Sequence, residues 1–365
     1  MAKDEGIKRF IRPCLLAFCG YAASKSPETL EGKVDVSVDE IIKLDANENL
    51  YGCSPKVRQA LGDCPCLNIY PDAGQGRLRQ MLGGYAGVDA EHIVASNGSD
   101  QLIDLILRLF IDAGDEVINC DPTFIMFSFG TDLCGGSIVS VPRDEDFAVD
   151  IKAVKAAISK KTKLIFLANP NNPTGTVMPQ KDILEVLDTG LPVVVDEAYY
   201  EFSGDTVVPF LDGYKNLMIL RTFSKWAGLA GLRIGYGIFP TEVAGYLMRI
   251  KPPYNVNAAA IVAVQESLKD IDYLMGKVKA INEERDRLFA ELEKLPFIKP
   301  FPSQTNFILC SVLNGRASEL QQKLQQKGIL VRYFDKPMLR DCIRISVGRP
   351  EHTDAVIKAL RELGG

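Results

Sequence analysis

The chain has 365 residues, of which 47% are hydrophobic and 24% charged, with a formal net charge of −5. It is longer than a single hydrophobic core usually supports, so two subdomains are expected, and its ordinary composition excludes a fibrous or disordered chain. A negative charge without a basic block argues against nucleic acid, no apolar run is long enough to cross a bilayer, and nine scattered cysteines with only two histidines, His92 and His352, point to free thiols of the cytoplasm and no metal.

The first apolar stretch, residues 10–20, is broken by Arg12 and Pro13 and follows the acids Asp4 and Glu5. It reads as an N-terminal arm that packs on the body and not as a signal peptide. Residues 92–96 read as a strand. Residues 99–113 have helical spacing, with Leu102, Ile103, Ile106, Leu107 and Phe110 on one face. A strand at 116–120, a helix opened by Pro122 through about 133 and a strand at 137–141 follow. The runs 164–168 and 192–195 are continuously apolar, the second ending at Asp196, and strands at 217–220 and 234–238 complete the series. Short strands without alternation are covered on both faces, which predicts an α/β fold with a mainly parallel sheet between helices. Ligands bind such sheets beyond the carboxyl ends of the strands. After Pro252-Pro253 the pattern changes to a long charged helix over 272–295, strands at 306–312, 329–332 and 342–347, and helices at 317–326 and 352–363. That half reads as a smaller α+β unit.

The polar motifs fall at the predicted strand ends. Asn169-Pro170-Asn171-Asn172-Pro173-Thr174-Gly175 follows an apolar strand and makes a rigid turn that can present the Asn172 amide to a ligand, although asparagine and proline also build plain turns. Asp196 ends a buried strand, where an unpaired carboxylate is costly. A protonated ring nitrogen would partner it, with Tyr199 close by; capping of the next helix is the other reading. Ser96-Asn97-Gly98-Ser99-Asp100 stands at a strand-to-helix junction, where free amides bind phosphate and where Ser99 and Asp100 are equally good helix-start residues.

Lys225 lies in Thr222-Phe223-Ser224-Lys225, eight residues before Arg233. Its amine can form a Schiff base with an aldehyde, and the hydroxyls with Arg233 can hold a phosphate. A ligand carrying both groups is pyridoxal 5'-phosphate. A surface lysine after a buried strand is the plainer alternative.

Taken in order, Asn172-Pro173-Thr174-Gly175, Asp196 with Tyr199, and Lys225 with Arg233 resemble the fold-type I aminotransferases. More narrowly, Leu44-Asp45-Ala46-Asn47-Glu48-Asn49, Tyr70-Pro71-Asp72, the run from Thr222 to Arg233 and Ile343-Arg344-Ile345-Ser346-Val347-Gly348 resemble the histidinol-phosphate aminotransferases, over roughly residues 40–365. The resemblance implies a seven-stranded, mainly parallel sheet in a large cofactor domain (61–254), a small α+β domain (255–365), and an arm with part of the small domain (1–60). It implies that Lys225 joins the cofactor aldehyde and later moves a proton. Asp196 pairs with the ring nitrogen, Tyr199 and Asn172 contact the ring oxygen, and Phe124 stacks on the ring. Ser99, Asp100, Thr222, Ser224 and Arg233 hold the phosphate, helped by Tyr70 of a second subunit in a homodimer. Arg344, Arg332 and Asn47 receive the substrate. The implied reaction takes histidinol phosphate and 2-oxoglutarate to imidazole acetol phosphate and glutamate. An aromatic amino acid aminotransferase and a threonine-phosphate decarboxylase are the close alternatives. A non-catalytic effector-binding module would need a DNA-binding domain, for which the arm is too short. Leu50 stands where the family usually has proline, Phe124 where tyrosine is commoner, and the arm before residue 40 matches poorly.

Overall fold

The apolar runs become strands of two sheets. The computed structural model describes residues 6–16, 18, 20, 26–30, 32, 34, 36–64, 67–313 and 315–364. The acids of the first five residues and Cys66 lie outside the described residues. In chain order the strands are β1 (Ile42–Leu44), β2 (Ile93–Ser96), β3 (Glu116–Asp121), β4 (Ser137–Pro142), β5 (Thr162–Ala168), β6 (Val193–Asp196), β7 (Leu217–Thr222) and β8 (Gly235–Ile238). The later ones are β9 (Ile298–Pro300), β10 (Phe307–Val312), β11 (Ile329–Tyr333) and β12 (Cys342–Ser346).

Strands β2 to β8 form a seven-stranded sheet in the order β2-β8-β7-β6-β5-β3-β4. Only β8 runs against its neighbours β2 and β7. Both faces are buried, as the unbroken apolar runs require. Val94, Leu164, Phe166, Val194 and Leu220 face the helix Ser99–Phe110, which buries Leu102, Ile103, Leu105, Ile106 and Leu107. Ile93, Ile165, Leu167, Val195 and Ile219 face the other way, into a core that continues into the second sheet. That sheet has the order β1-β11-β12-β10-β9, with β1 parallel to β11 and the other pairs antiparallel.

The long helix Ile271–Leu292 buries Leu274, Val278, Ile281, Leu288 and Leu292 at helical spacing. It packs against the helices Tyr200–Ser203 and Pro350–Leu363, so it touches elements of both halves. Several helices differ from expectation. The helix after Pro122 starts only at Met126, because the Pro122 carbonyl and the Thr123 hydroxyl are taken by the Asn171 side chain, at 3.0 and 2.7 Å. The helices Gly76–Ala86, Thr241–Ile250 and Ala258–Lys269 were not marked by the sequence pattern; the first carries three glycines, which weaken the helical signal. The arm touches the body through Arg12, which donates to the Leu133 carbonyl at 2.9 Å, and Phe18, edge-on to Phe129, while Ile7, Phe10 and Leu16 are exposed.

Candidate active site

The reversed direction of β8 decides what meets at one edge of the large sheet. The carboxyl ends of β2, β5, β6 and β7 all lie there. Because β8 runs the other way, its amino end lies there too, with Gly235 opposite both Ser96 and Thr222. Arg233 precedes β8 and arrives beside the residues that follow β2. A side chain at 235 would put its Cβ 2.6 Å from the Ser99 nitrogen, so only glycine lets these strand ends close up.

The phosphate-type residues are brought together. Thr222 Oγ1 donates to Ser224 Oγ at 3.0 Å and accepts from the Ser224 backbone N–H at 3.1 Å. Arg233, with φ of 52°, donates to Asp100 Oδ2 at 2.7 Å at the start of the helix Ser99–Phe110. The first N–H groups of a helix have no acceptor within it. Gly98, with φ of 78°, lies under the Arg233 guanidinium; a Cβ there would come within 2.6 Å of Nη2. Hydroxyls, helix-start amides and a guanidinium thus converge at one point, which suits a phosphate.

Lys225 is half-buried, and its Nζ donates to the Ala46 carbonyl at 3.2 Å. Burial, then the Arg344 guanidinium, depress the amine from 10.5 to about 8; Arg233 contributes less. Asp196 is 5% exposed, and one carboxylate oxygen accepts from the Ala198 N–H at 3.1 Å. Among the described residues it makes no ion pair. Burial accordingly pushes its carboxyl from 3.8 up to about 7.

Across from these, the loop after β1 reaches both sheets. Asn47 Nδ2 donates to Tyr199 Oη at 2.8 Å, and Asn306 Nδ2 donates to the Asn47 carbonyl at 3.0 Å. Tyr199 packs edge-on against Phe307 at 5.3 Å. Arg344 donates to Asn172 Oδ1 at 2.6 Å and to the Asp45 carbonyl at 2.8 Å, linking β12 to the turn after β5. Arg332 on β11 is the direct cross-strand partner of Arg344, and both guanidiniums lie near the Phe334 ring, at 5.8 and 5.5 Å.

Two residues stand apart from these contacts. Tyr70 is 76% exposed and stacks on Tyr254. Phe124 is half-buried and meets Phe127 edge-on.

Sequence reasoning passed over a buried pair directly behind the site. Glu197 follows Asp196 and Arg221 precedes Thr222; Arg221 donates through Nε and Nη2 to Glu197 Oε2 at 3.0 and 2.8 Å, with both side chains at most 3% exposed. Thr206 and the Val207 N–H complete the acceptor set of Glu197, and the Tyr200 ring lies 3.8 Å from the guanidinium. The signal was present: a charge at the end of a buried strand, where it is buried, needs a partner.

The pocket fits pyridoxal 5'-phosphate on the chemistry of its donors. A buried carboxylate without a cation suits a pyridinium, a buried amine of depressed basicity suits an aldehyde, and the glycine-lined cradle suits the phosphate. The profile of the family described as aminotransferase class I and II matches residues 39–362. A histidinol-phosphate aminotransferase of Dehalococcoides mccartyi is 55% identical over 98% of this chain and 99% of its own length. A crystal structure of histidinol-phosphate aminotransferase from Sinorhizobium meliloti in complex with pyridoxal-5'-phosphate has a TM-score of 0.86 at 27% identity, covering 97% of this chain and 98% of that one. L-threonine-O-3-phosphate decarboxylase from Porphyromonas gingivalis also shares the fold, with a TM-score of 0.79 at 25% identity over 88% of this chain and 99% of that one. The chain therefore belongs to the pyridoxal-phosphate-dependent class I and II aminotransferases and, within them, to the histidinol-phosphate aminotransferases.

Proposed function

We propose that this chain transfers the amino group of histidinol phosphate to 2-oxoglutarate, giving imidazole acetol phosphate and glutamate, as a step of histidine biosynthesis in the cytoplasm. The observation that carries the substrate choice is the Arg332–Arg344 pair. The two guanidiniums stand on directly opposed residues of neighbouring strands, so an anion there would meet positive charge from both. Guanidiniums accept carboxylate and phosphate with the same geometry, so one site can serve glutamate and a phosphorylated amine in turn.

When bound, pyridoxal phosphate supplies an aldehyde that condenses with amines and a ring that takes up the electron pair left on the substrate carbon. Lys225 would hold the aldehyde end. Its amine, with basicity lowered to about 8, would serve as the base that moves the proton of the amino-bearing carbon. Asp196 would keep the ring nitrogen charged. Tyr199 and Asn172 would contact the ring oxygen and Phe124 would cover the ring face. The Ser99 and Asp100 amides, Thr222, Ser224 and Arg233 would hold the phosphate. Asn47 lies at the substrate side with Arg344.

Tyr70 serves the phosphate site of a second copy. Leu67, Ile69, Tyr70 and Tyr254 are exposed, as are Ile7, Phe10 and Leu16 on the arm, and pairing of two copies would bury such side chains. Sedimentation of the active enzyme checks this; a fully active monomer refutes it.

The deciding experiment compares histidinol phosphate with histidinol as donors while glutamate formation is followed. A strong preference for the phosphorylated donor is expected. Equal efficiencies would remove the phosphate-binding role of the arginines, and carbon dioxide release from threonine phosphate without glutamate would identify the lyase instead.

A further inference from the structure

Asn47 is 2% exposed and has φ of 55°, in the left-handed region that asparagine tolerates better than most residues. Every polar group it has is engaged. Its backbone N–H donates to Ser346 Oγ at 2.9 Å, and its carbonyl accepts from Asn306. The Ser346 hydroxyl, already an acceptor, gives its own hydrogen to Asn47 Oδ1 at 3.1 Å. This fixes which way the amide points: the oxygen faces Ser346, and Nδ2 faces Tyr199 at 2.8 Å. An amide nitrogen only donates, so the Tyr199 oxygen accepts and its own hydrogen is directed away from Asn47.

We propose that Asn47 is a positioning residue for Tyr199: with Ser346 it sets the direction in which the Tyr199 hydroxyl gives its proton. The inference rests on the pyridoxal-phosphate reading above and adds to it. Ser346 lies two residues after Arg344 on β12 and so shares its face. The strand that carries Arg344 therefore also orients, through one amide, the hydroxyl that would serve the cofactor's ring oxygen. Phe307, opposite Ser346 on β10, holds the Tyr199 ring from the other side. An oxygen that accepts one hydrogen bond donates the next more strongly. A hydrogen bond given to the ring oxygen stabilises its ionised form and keeps the pH midpoint of the cofactor's visible band low.

The test uses the loaded enzyme and two variants that both tolerate φ above zero. Asn47→Gly keeps the backbone and removes the amide; Asn47→Asp keeps the shape and replaces the donor with an acceptor. The midpoint of the visible band should rise by about half a pH unit to one unit in Asn47→Gly, the equivalent of one lost neutral hydrogen bond, and further in Asn47→Asp. Titrating the cofactor-free proteins with pyridoxal phosphate should show a dissociation constant weakened about 5- to 10-fold in Asn47→Asp. Ser346→Ala, which frees the amide to turn, should shift the midpoint the same way by less. A merely structural fastening would lower stability and leave the midpoint where it is. Unmoved midpoints in the loaded variants overturn this inference alone; a wild-type protein that takes up no cofactor overturns it together with the reading it rests on.

Discussion

Replacing Asp196 with asparagine should move function and stability in opposite directions. In the cofactor-free pocket burial raises this carboxyl from 3.8 to about 7. That rise corresponds to about 4 kcal/mol by which the site disfavours the anion. The sign is that of an acid whose folded value is raised: its contribution to stability is fully present below the unfolded value and is lost as pH climbs through about 7. Well above that pH the native protein carries the whole cost. Asparagine avoids it but leaves an amide to satisfy, at about 1–3 kcal/mol. The cofactor-free variant should therefore be about 1–3 kcal/mol more stable than wild type at alkaline pH, with the gap closing as pH falls towards 4. The loaded enzyme should behave in reverse. Without a carboxylate the ring nitrogen loses its proton, and kcat should fall about a hundredfold or more, the equivalent of at least about 3 kcal/mol. Urea denaturation of the cofactor-free proteins at two pH values, with single-turnover reaction of the loaded ones, reads both effects. A cofactor analogue methylated on the ring nitrogen carries the charge permanently and should restore part of the rate. A variant less stable than wild type at alkaline pH, or one that turns over normally, refutes the reasoning.

Lys225→Ala should abolish turnover and the visible band while the protein still folds, checked by absorbance and circular dichroism. Uptake of pyridoxal phosphate by the cofactor-free enzyme should accelerate as pH rises and level off above about 8, because the neutral amine is the attacking form; stopped-flow absorbance reads this. Glu197→Gln should destabilise the fold by about 3–5 kcal/mol in thermal or urea unfolding, since it strands the Arg221 guanidinium in the core. Gly98→Ala should weaken cofactor binding measurably, because its Cβ would meet the Arg233 guanidinium at 2.6 Å in a backbone conformation alanine resists.

Much of the large sheet was legible because each buried strand is an apolar run that ends abruptly in a polar residue. Val193-Val194-Val195 followed by Asp196 marks both the strand and its carboxyl end. The same logic reached Thr222 to Lys225 after β7. What it could not reach is partnership between distant segments. The link from Asn47 to Tyr199 spans 152 residues and that to Ser346 spans 299, and no local period encodes either. Nor did spacing show that β8 is reversed, although Arg233 reaches the Ser99 helix for that reason. The Glu197–Arg221 pair is readable in principle, since each charge stands at the end of an apolar run, but nothing local says that the two ends are neighbours. Weak helices such as Gly76–Ala86 form because tertiary packing overrides a glycine-rich sequence.

One turn-back in the chain has a practical corollary. Lys225 and Arg233, the residues proposed to grip opposite ends of the cofactor, both belong to the link of residues 223–234 between two adjacent, oppositely directed strands. Lengthening that link by even one residue would shift one grip relative to the other, whereas additions at the connections between parallel strands would spare both. Library designs meant to widen what this enzyme accepts should therefore diversify the second sheet and its loops and leave this hairpin untouched.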